Sequence, residues 1–286
     1  MLCAVASPTL RRRRLARELI RLRDAAGMTL EQAATAAGIS SSHLSRVERA
    51  LVGVRTPVVK VLLAAYGADA ETTSHLVEVA KDASQRGWWH KYVGSIQEKY
   101  ATYIGFEAEA DQIWSFNASI MPGLLQTEAY ARAMFQGGAA RFSEEEIDRR
   151  VEVRLRRQQL LTRKDPPGVW IVLDESVIRR QVGGPGTLAA QLQHIVDQAA
   201  LPHVDIQVMP FAVGAHPGTP GSFIVLRFSE PADPAVVYIE TMAGDLYPES
   251  QEHIDGSILA FDRLRAMALS PDDSTALIRK AVKELT

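Results

Sequence analysis

The sequence predicts an α + (α+β) chain: an all-helical N-terminal domain of five helices, then a larger mixed α/β domain with a sheet of about four to five short strands. Three observations predict it. The chain has 286 residues, beyond the roughly 100–200 of one typical domain. Up to about Ala83, apolar residues recur at helical spacing between glycine stops. After Trp88 and Trp89 the alanine-rich texture gives way to β-branched runs bounded by proline, glycine and acids, interleaved with helical stretches. The expected division is 10–70 for the helical domain, 71–90 for a helical linker and 91–286 for the mixed domain.

From Leu10 to Ala26, Leu15, Leu19 and Leu22 share one face while arginines fill the others, and Gly27 supplies the stop. Thr29 opens a second helix as a capping box with Gln32, and Ala33, Ala34, Ala36 and Ala37 let a neighbour approach closely before Gly38 ends it. Ile39 turns inward, and Ser40 or Ser41 caps a third helix running through Leu44 and Val47 to about Arg49. Leu51 to Arg55 reads as a loop. Thr56 and Pro57 start a fourth helix that ends at Gly67, and a fifth carries Leu76, Val79, Ala80 and Ala83.

In the larger part, 99–115 and 124–136 read as helices separated by Met121-Pro122-Gly123. Ser143 and Glu146 form a second capping box, opening a helix to about Thr162 with Ile147, Val151 and Leu155 on one face. Along it, Glu145 and Arg149, Glu146 and Arg150, and Glu152 and Arg156 stand at i,i+4, so its charge is expected to pair internally. The apolar stripe is a candidate contact between subunits. Strands are expected at 169–174, 205–210, 222–227 and 236–240, with a helix at 188–200 between the first two. Two helices, from about Ser250 to Ala268 and from Pro271 onward, close the chain.

Charge is divided unevenly. Residues 1–70 hold eleven of the 32 Lys and Arg but only five of the 34 Asp and Glu, so the N-terminal part is net positive and the remainder net negative. Affinity for a polyanion therefore belongs to the first part. One cysteine, Cys3, excludes an internal disulfide and multi-cysteine metal sites. No window is apolar enough for a membrane span, and Leu15 to Leu22 is broken by Arg17, Glu18 and Arg21, so no secretory core is present. The expected location is the cytoplasm.

The informative stretch is Gly27 to Ala50: a short capped helix, a turn on Gly38, Ile39 and Ser40, and a second helix beginning with small polar residues. Such an arrangement is a helix-turn-helix, whose second helix is held outward to reach base edges in the major groove of duplex DNA. From Leu15 to Gly67 the chain resembles the lambda-repressor-like, or XRE, family. Aligned on the Gly38 turn, the resemblance puts Ser41, Ser42 and His43 at the base-reading start of the recognition helix, with Ser45 and Arg46 one turn later. It also sets Arg23 opposite Glu48 as an internal salt bridge. Ala50 stands where that family usually has glycine. Arg46 suits bidentate recognition of guanine, Arg49 and Arg55 suit phosphate, and Arg11 to Arg14 with Arg17 are either phosphate contacts or a solvated face. Reading a palindromic operator requires a homodimer.

The larger part resembles, from about Gly87 to Lys283, a domain of unknown function that follows the helix-turn-helix in many actinobacterial regulators. The resemblance rests on Gly87-Trp88-Trp89, Tyr103 to Glu107, Met121 to Thr127, Arg154 to Leu161, Val208 to Phe211 and Phe261 to Leu264. It implies an antitoxin-like relationship with a small acidic protein encoded by a neighbouring gene. Chemistry is not expected: Gly183-Gly184-Pro185-Gly186 lacks the Lys and Ser/Thr of a phosphate loop, and His194, His203, His216 and His253 lack metal-ligand spacing. No enzyme, metal or cofactor is expected. The loop Ala212 to Gly221, with His216 and Gly218, is longer than a hairpin needs and is the candidate ligand or partner loop. Trp88, Trp89, Trp114 and Trp170 are candidates for an aromatic pocket wall or for simple core. The expected function is a DNA-binding transcriptional regulator controlled by a protein partner, with a small-molecule sensor as the alternative.

Overall fold

The computed structural model describes residues 8–286 except 84–86, 93, 95, 139 and 231–232; Cys3 lies outside the described residues. The chain folds as two compact units, Met1–Lys91 and Tyr92–Thr286.

The first unit contains α1 (Pro8–Ala25), α2 (Leu30–Ala36), α3 (Ser41–Glu48), α4 (Thr56–Ala65) and α5 (Ala70–Ala83). Their starts are chemical. The Thr29 hydroxyl accepts from the Gln32 amide while the Gln32 side chain accepts from the Thr29 amide, and Ser40 Oγ accepts from His43 N at 3.1 Å. Their ends are equally specified. At the ends of α1, α2 and α4 the residue in the left-handed region is Gly27, Gly38 and Gly67 (φ +65°, +65° and +71°). Each closes the reciprocal pair of bonds of a Schellman motif, such as Gly38 N to Thr35 O and Ile39 N to Ala34 O. At the end of α3 the same position is Ala50, φ +56°. Leu15, Leu19, Leu44, Leu62 and Leu63 are almost completely buried in one core, each contributing about 1.5–3 kcal/mol. The stretch expected as a linker forms α5, whose Leu76, Val77 and Ala80 enter that same core.

The second unit is a six-stranded mixed sheet with helices. Its elements are α6 (Glu98–Glu107), β1 (Gln112–Asn117), α7 (Glu128–Gln136), α8 (Glu144–Gln158), β2 (Gly168–Asp174), α9 (Glu175–Arg179), α10 (Pro185–Gln198), β3 (Val204–Met209), β4 (Phe223–Arg227), β5 (Val236–Thr241), β6 (Gly244–Leu246), α11 (Gln251–Met267) and α12 (Pro271–Leu285). The strand order is β3-β2-β1-β4-β5-β6. The first three are parallel and the others antiparallel to their neighbours.

The expected sheet of four to five strands is thus six. Helix 99–115 is corrected too: it ends at Glu107, and Gln112–Asn117 becomes β1, held between β2 and β4. Thr127 caps α7, so that helix starts after the expected 124. The apolar stripe of α8 is not a subunit contact, because Ile147 and Val151 pack on Ala131 of α7.

The alternation along β1 gives the sheet two faces. Trp114 and Phe116 point to one, where Phe261, Leu264 and Ile254 of α11 cover them. Ile113, Ser115 and Asn117 point to the other.

Candidate functional site

The helix-turn-helix is fixed from beneath. Leu44 and Val47 of α3 are buried, and Arg23 of α1 joins Glu48 in a two-pronged ion pair, Nε to Oε1 at 2.8 Å and Nη2 to Oε2 at 3.3 Å, while donating to Met28 O at 3.0 Å. The hydrogen bond to Glu48 holds the Arg23 pKa above its ordinary value. Tyr66, buried beside them, is pushed up to about 12 by burial and then by the Glu48 charge.

With one side of α3 committed to the core, Ser42, Arg46 and Arg49 face solvent at i, i+4 and i+7, flanked by half-buried Ser41 and Ser45. His43 is half-buried, and its backbone N–H serves the Ser40 cap. Arg55 is exposed just before α4. Of the α1 arginines, Arg11 is turned inward and pairs with Asp82 of α5 at 3.0 Å. Arg12 packs near Gly53, and burial lowers its pKa.

The other prominent feature is a cavity of about 250 Å³ on the Ser115 face of the sheet. Its floor is one row of residues across four strands: Ile171, Ser115, Ile224 and Tyr238, in register on β2, β1, β4 and β5. Asn117 Nδ2 donates to Ser115 Oγ at 2.7 Å. The loop Ser119 to Leu124 forms a wall and is pinned by amides: Gln126 Nε2 donates to Met121 O at 2.7 Å, and Gln158 Nε2 to Gly123 O at 3.1 Å and Gln126 O at 2.6 Å. Behind it, Arg157 grips Glu107 bidentately, both bonds 2.7 Å, with the two side chains 4 % and 2 % exposed. Tyr103 donates to Glu107 and Tyr100 accepts from Arg157. Burial, followed by the Glu107 charge, pushes the Tyr103 phenol well up. A second chamber, about 310 Å³, adjoins the first through Tyr100, Arg154, Tyr238 and Glu240 and adds Arg150, Phe135 and Asp245.

The loop Ala212 to Gly221 lies elsewhere. His216 is tucked inward over the Phe116 ring at 5.4 Å, its Nδ1 accepts from Gly218 N at 3.2 Å, and its Nε2 lies 3.8 Å from Asp174. Gly218 sits so close to Phe116 that an added Cβ would stand 2.2 Å from the ring. Neither residue lines the cavity. Trp114 and Trp170 do not wall it either: they lie in the core on the opposite face, Trp114 stacked on Phe261 at 5.4 Å and Trp170 bonded to Gln207.

Sequence reasoning did not single out Ser115, Asn117, Arg150 or Tyr238 as cavity residues. The signal available was polar Ser115 and Asn117 inside an otherwise apolar run, Ile113 to Asn117. Three segments quoted above as carrying the family resemblance, Tyr103 to Glu107, Met121 to Thr127 and Arg154 to Leu161, converge on this cavity.

A family described as "Domain of unknown function (DUF5753)" matches residues 100–280. One described as "Helix-turn-helix domain" matches residues 14–76. No curated protein and no solved structure matches the chain. Among the described residues, no helix is long and apolar enough to cross a membrane.

Proposed function

Because the chain belongs to the DUF5753 family and carries a helix-turn-helix domain ahead of that region, we propose that it is a sequence-specific transcriptional regulator of the lambda-repressor-like class. It works by binding rather than by catalysis, and its place of work is the cytoplasm, where its DNA is. The observation that carries this reading is the outer face of α3, where Ser42, Arg46 and Arg49 are presented together while Leu44, Val47 and Glu48 are locked to the unit beneath. Rigid presentation is what a major-groove reader requires.

Ser41, Ser42, His43, Ser45 and Arg46 read bases in this scheme, with Arg46 aimed at guanine O6 and N7, and Arg49 and Arg55 hold phosphate. A homodimer would match a palindromic operator. Control passes through the second unit. By the family resemblance the controller is a small acidic protein from a neighbouring gene, in an antitoxin-like relationship. A second reading, small-molecule sensing, is favoured by the cavity on the Ser115 face. Either effector must bind the DNA-competent and incompetent states unequally, and a coupling of about 1–3 kcal/mol gives a 5- to 150-fold change in operator affinity.

The test uses the full chain on its own promoter region. Arg46→Ala is expected to relax base preference at one position per half-site, costing about 1–3 kcal/mol there, whereas Arg55→Ala weakens all duplexes alike and flattens the salt dependence. Equal effects of both changes on selected and random duplexes would remove Arg46 from direct readout.

A further inference from the structure

Helix α8 places Arg150, Arg154 and Arg157 on one face at i, i+4 and i+7. Each guanidinium lies over an aromatic ring: Arg150 over Phe142 at 3.9 Å, Arg154 over Phe135 at 5.3 Å and Arg157 over Tyr103 at 5.0 Å. Only Arg157 has a carboxylate of its own, that of Glu107. The sequence offers Arg150 a partner in Glu146 at i,i+4, but Glu146 turns back to accept from Ser143 N at 2.8 Å and close the helix cap. Arg150 and Arg154 are left with a buried Nε that donates to nothing. Exposed Glu240 and buried Asp245 belong to the same chambers, yet neither forms an ion pair with either arginine. Tyr238, at the junction of the chambers, likewise has a buried hydroxyl without a partner.

A buried guanidinium N–H without an acceptor is unfavourable, and the rings beneath do not supply one. An oxyanion would. The chambers differ in character: the first has Ile171 and Ile224 in its floor and Leu124 in its wall, the second holds Arg150, and Arg154 stands where the two meet. Their volumes, about 250 and 310 Å³, suit a small organic molecule. We propose that this two-chambered cavity binds a small organic anion. Its carboxylate or phosphate-ester head lies between Arg150 and Arg154, the Tyr238 hydroxyl donates to that head, and its apolar body rests on the sheet. The inference deepens the small-molecule reading above and rests on it only for the regulatory consequence.

The experiment is calorimetric titration of the full chain with four probes: 3-phenylpropionate, phenyl phosphate, neutral 3-phenylpropanamide and inorganic phosphate. At least one organic anion is expected to bind tighter than both the amide and inorganic phosphate by roughly tenfold or more. Which of the two prevails identifies the head group. Arg154→Gln and, separately, Arg150→Gln are expected to erase that preference; both arginines are half-buried, and either variant serves should the other misfold. Both variants retain the basic first unit, so any anion affinity they share with the parent belongs there. No binding of either organic anion at about 10 mM, equal binding of the amide, or unchanged preference in both variants would overturn the proposal. Promoter-duplex affinity measured with and without the bound anion separates the two claims. Binding with unaltered duplex affinity supports the site and refutes the sensing reading, whereas loss of duplex affinity on Arg46→Ala with no anion binding refutes the site and leaves the DNA reading intact.

Discussion

Ala50→Gly is expected to stabilise the first unit. Ala50 is the only non-glycine residue with positive φ among the described residues, and it occupies the position that glycine fills after α1, α2 and α4. Its bonds are well formed, Ala50 N to Val47 O at 2.8 Å and Leu51 N to Arg46 O at 2.9 Å, so the motif is complete and only the Cβ opposes it. An L-residue in the left-handed region costs about 1–2 kcal/mol. Glycine relieves that strain but gives the unfolded chain more freedom, which takes back about 0.4–1 kcal/mol. The net gain is about 0.5–1 kcal/mol, equivalent to roughly two- to fivefold slower amide exchange through global opening. For a unit of this size it raises the unfolding midpoint by about 2–8 °C. Native-state hydrogen exchange on the α3 amides measures the gain directly, and Ala50→Val supplies the opposite sign, because a β-branched side chain tolerates this φ worse than alanine. Exchange that is unchanged or faster in Ala50→Gly would refute the strain argument and place the end of α3 under some other constraint.

Glu107→Gln should leave the Arg157 charge buried and uncompensated, costing the second unit about 3–5 kcal/mol in urea unfolding; a loss below about 1 kcal/mol would mean that water reaches the pair. Gly218→Ala should force Phe116 aside and cost about 1–3 kcal/mol, read as a lower unfolding midpoint, and an unchanged midpoint would show the loop free to lift. Residues 1–91 alone should retain salt-dependent duplex binding in a gel shift while residues 92–286 show none; a shift with the second fragment would relocate the electrostatic footprint.

The first unit is legible in sequence because its instructions are local. Thr29 with Gln32, Ser40, and the glycines at 27, 38 and 67 each mark a boundary within a few residues of where it falls. The strands β2, β3, β4 and β5 are legible for a similar reason, being β-branched runs between breakers. Strand β1 is not. The apolar spacing of Tyr103, Ile104 and Phe106 continues into Ile113, Trp114 and Phe116, and only Asp111 intervenes as a mild break. What makes 112–117 extended is pairing with residues 168–173 and 223–227, far along the chain, and no local propensity carries that information. Three-residue β6 is too short to leave a pattern.

The loop around His216 misleads in the opposite direction. Its glycines and prolines speak for an exposed loop, yet His216 is drawn onto Phe116, and its ring organises the turn through Gly218 N.

The unpaired arginines of α8 show where a sequence rule fails for a physical reason. Counting i,i+4 partners neutralises Arg150 on paper, but a carboxylate at the third helical position has a competing use: it can satisfy an orphan backbone donor at the helix start. Glu146 takes that role, while Glu152 accepts from the Tyr92 hydroxyl. Arg154 has Arg150 four residues before it and Gln158 four residues after it, and Gln158 is occupied with the loop carbonyls of Gly123 and Gln126. Of the remaining acids of the helix, Glu144 and Asp148 pair with Arg132 and Glu145 with Arg149, so two cations are left facing a cavity. If the only demand there were stability, methionine or leucine over Phe135 and Phe142 would fill the same space without desolvating a charge. A fold that keeps the charge at those two positions, on a cavity that also holds a serine and an asparagine of a central strand, sacrifices local consistency there, and such places are where binding sites are found.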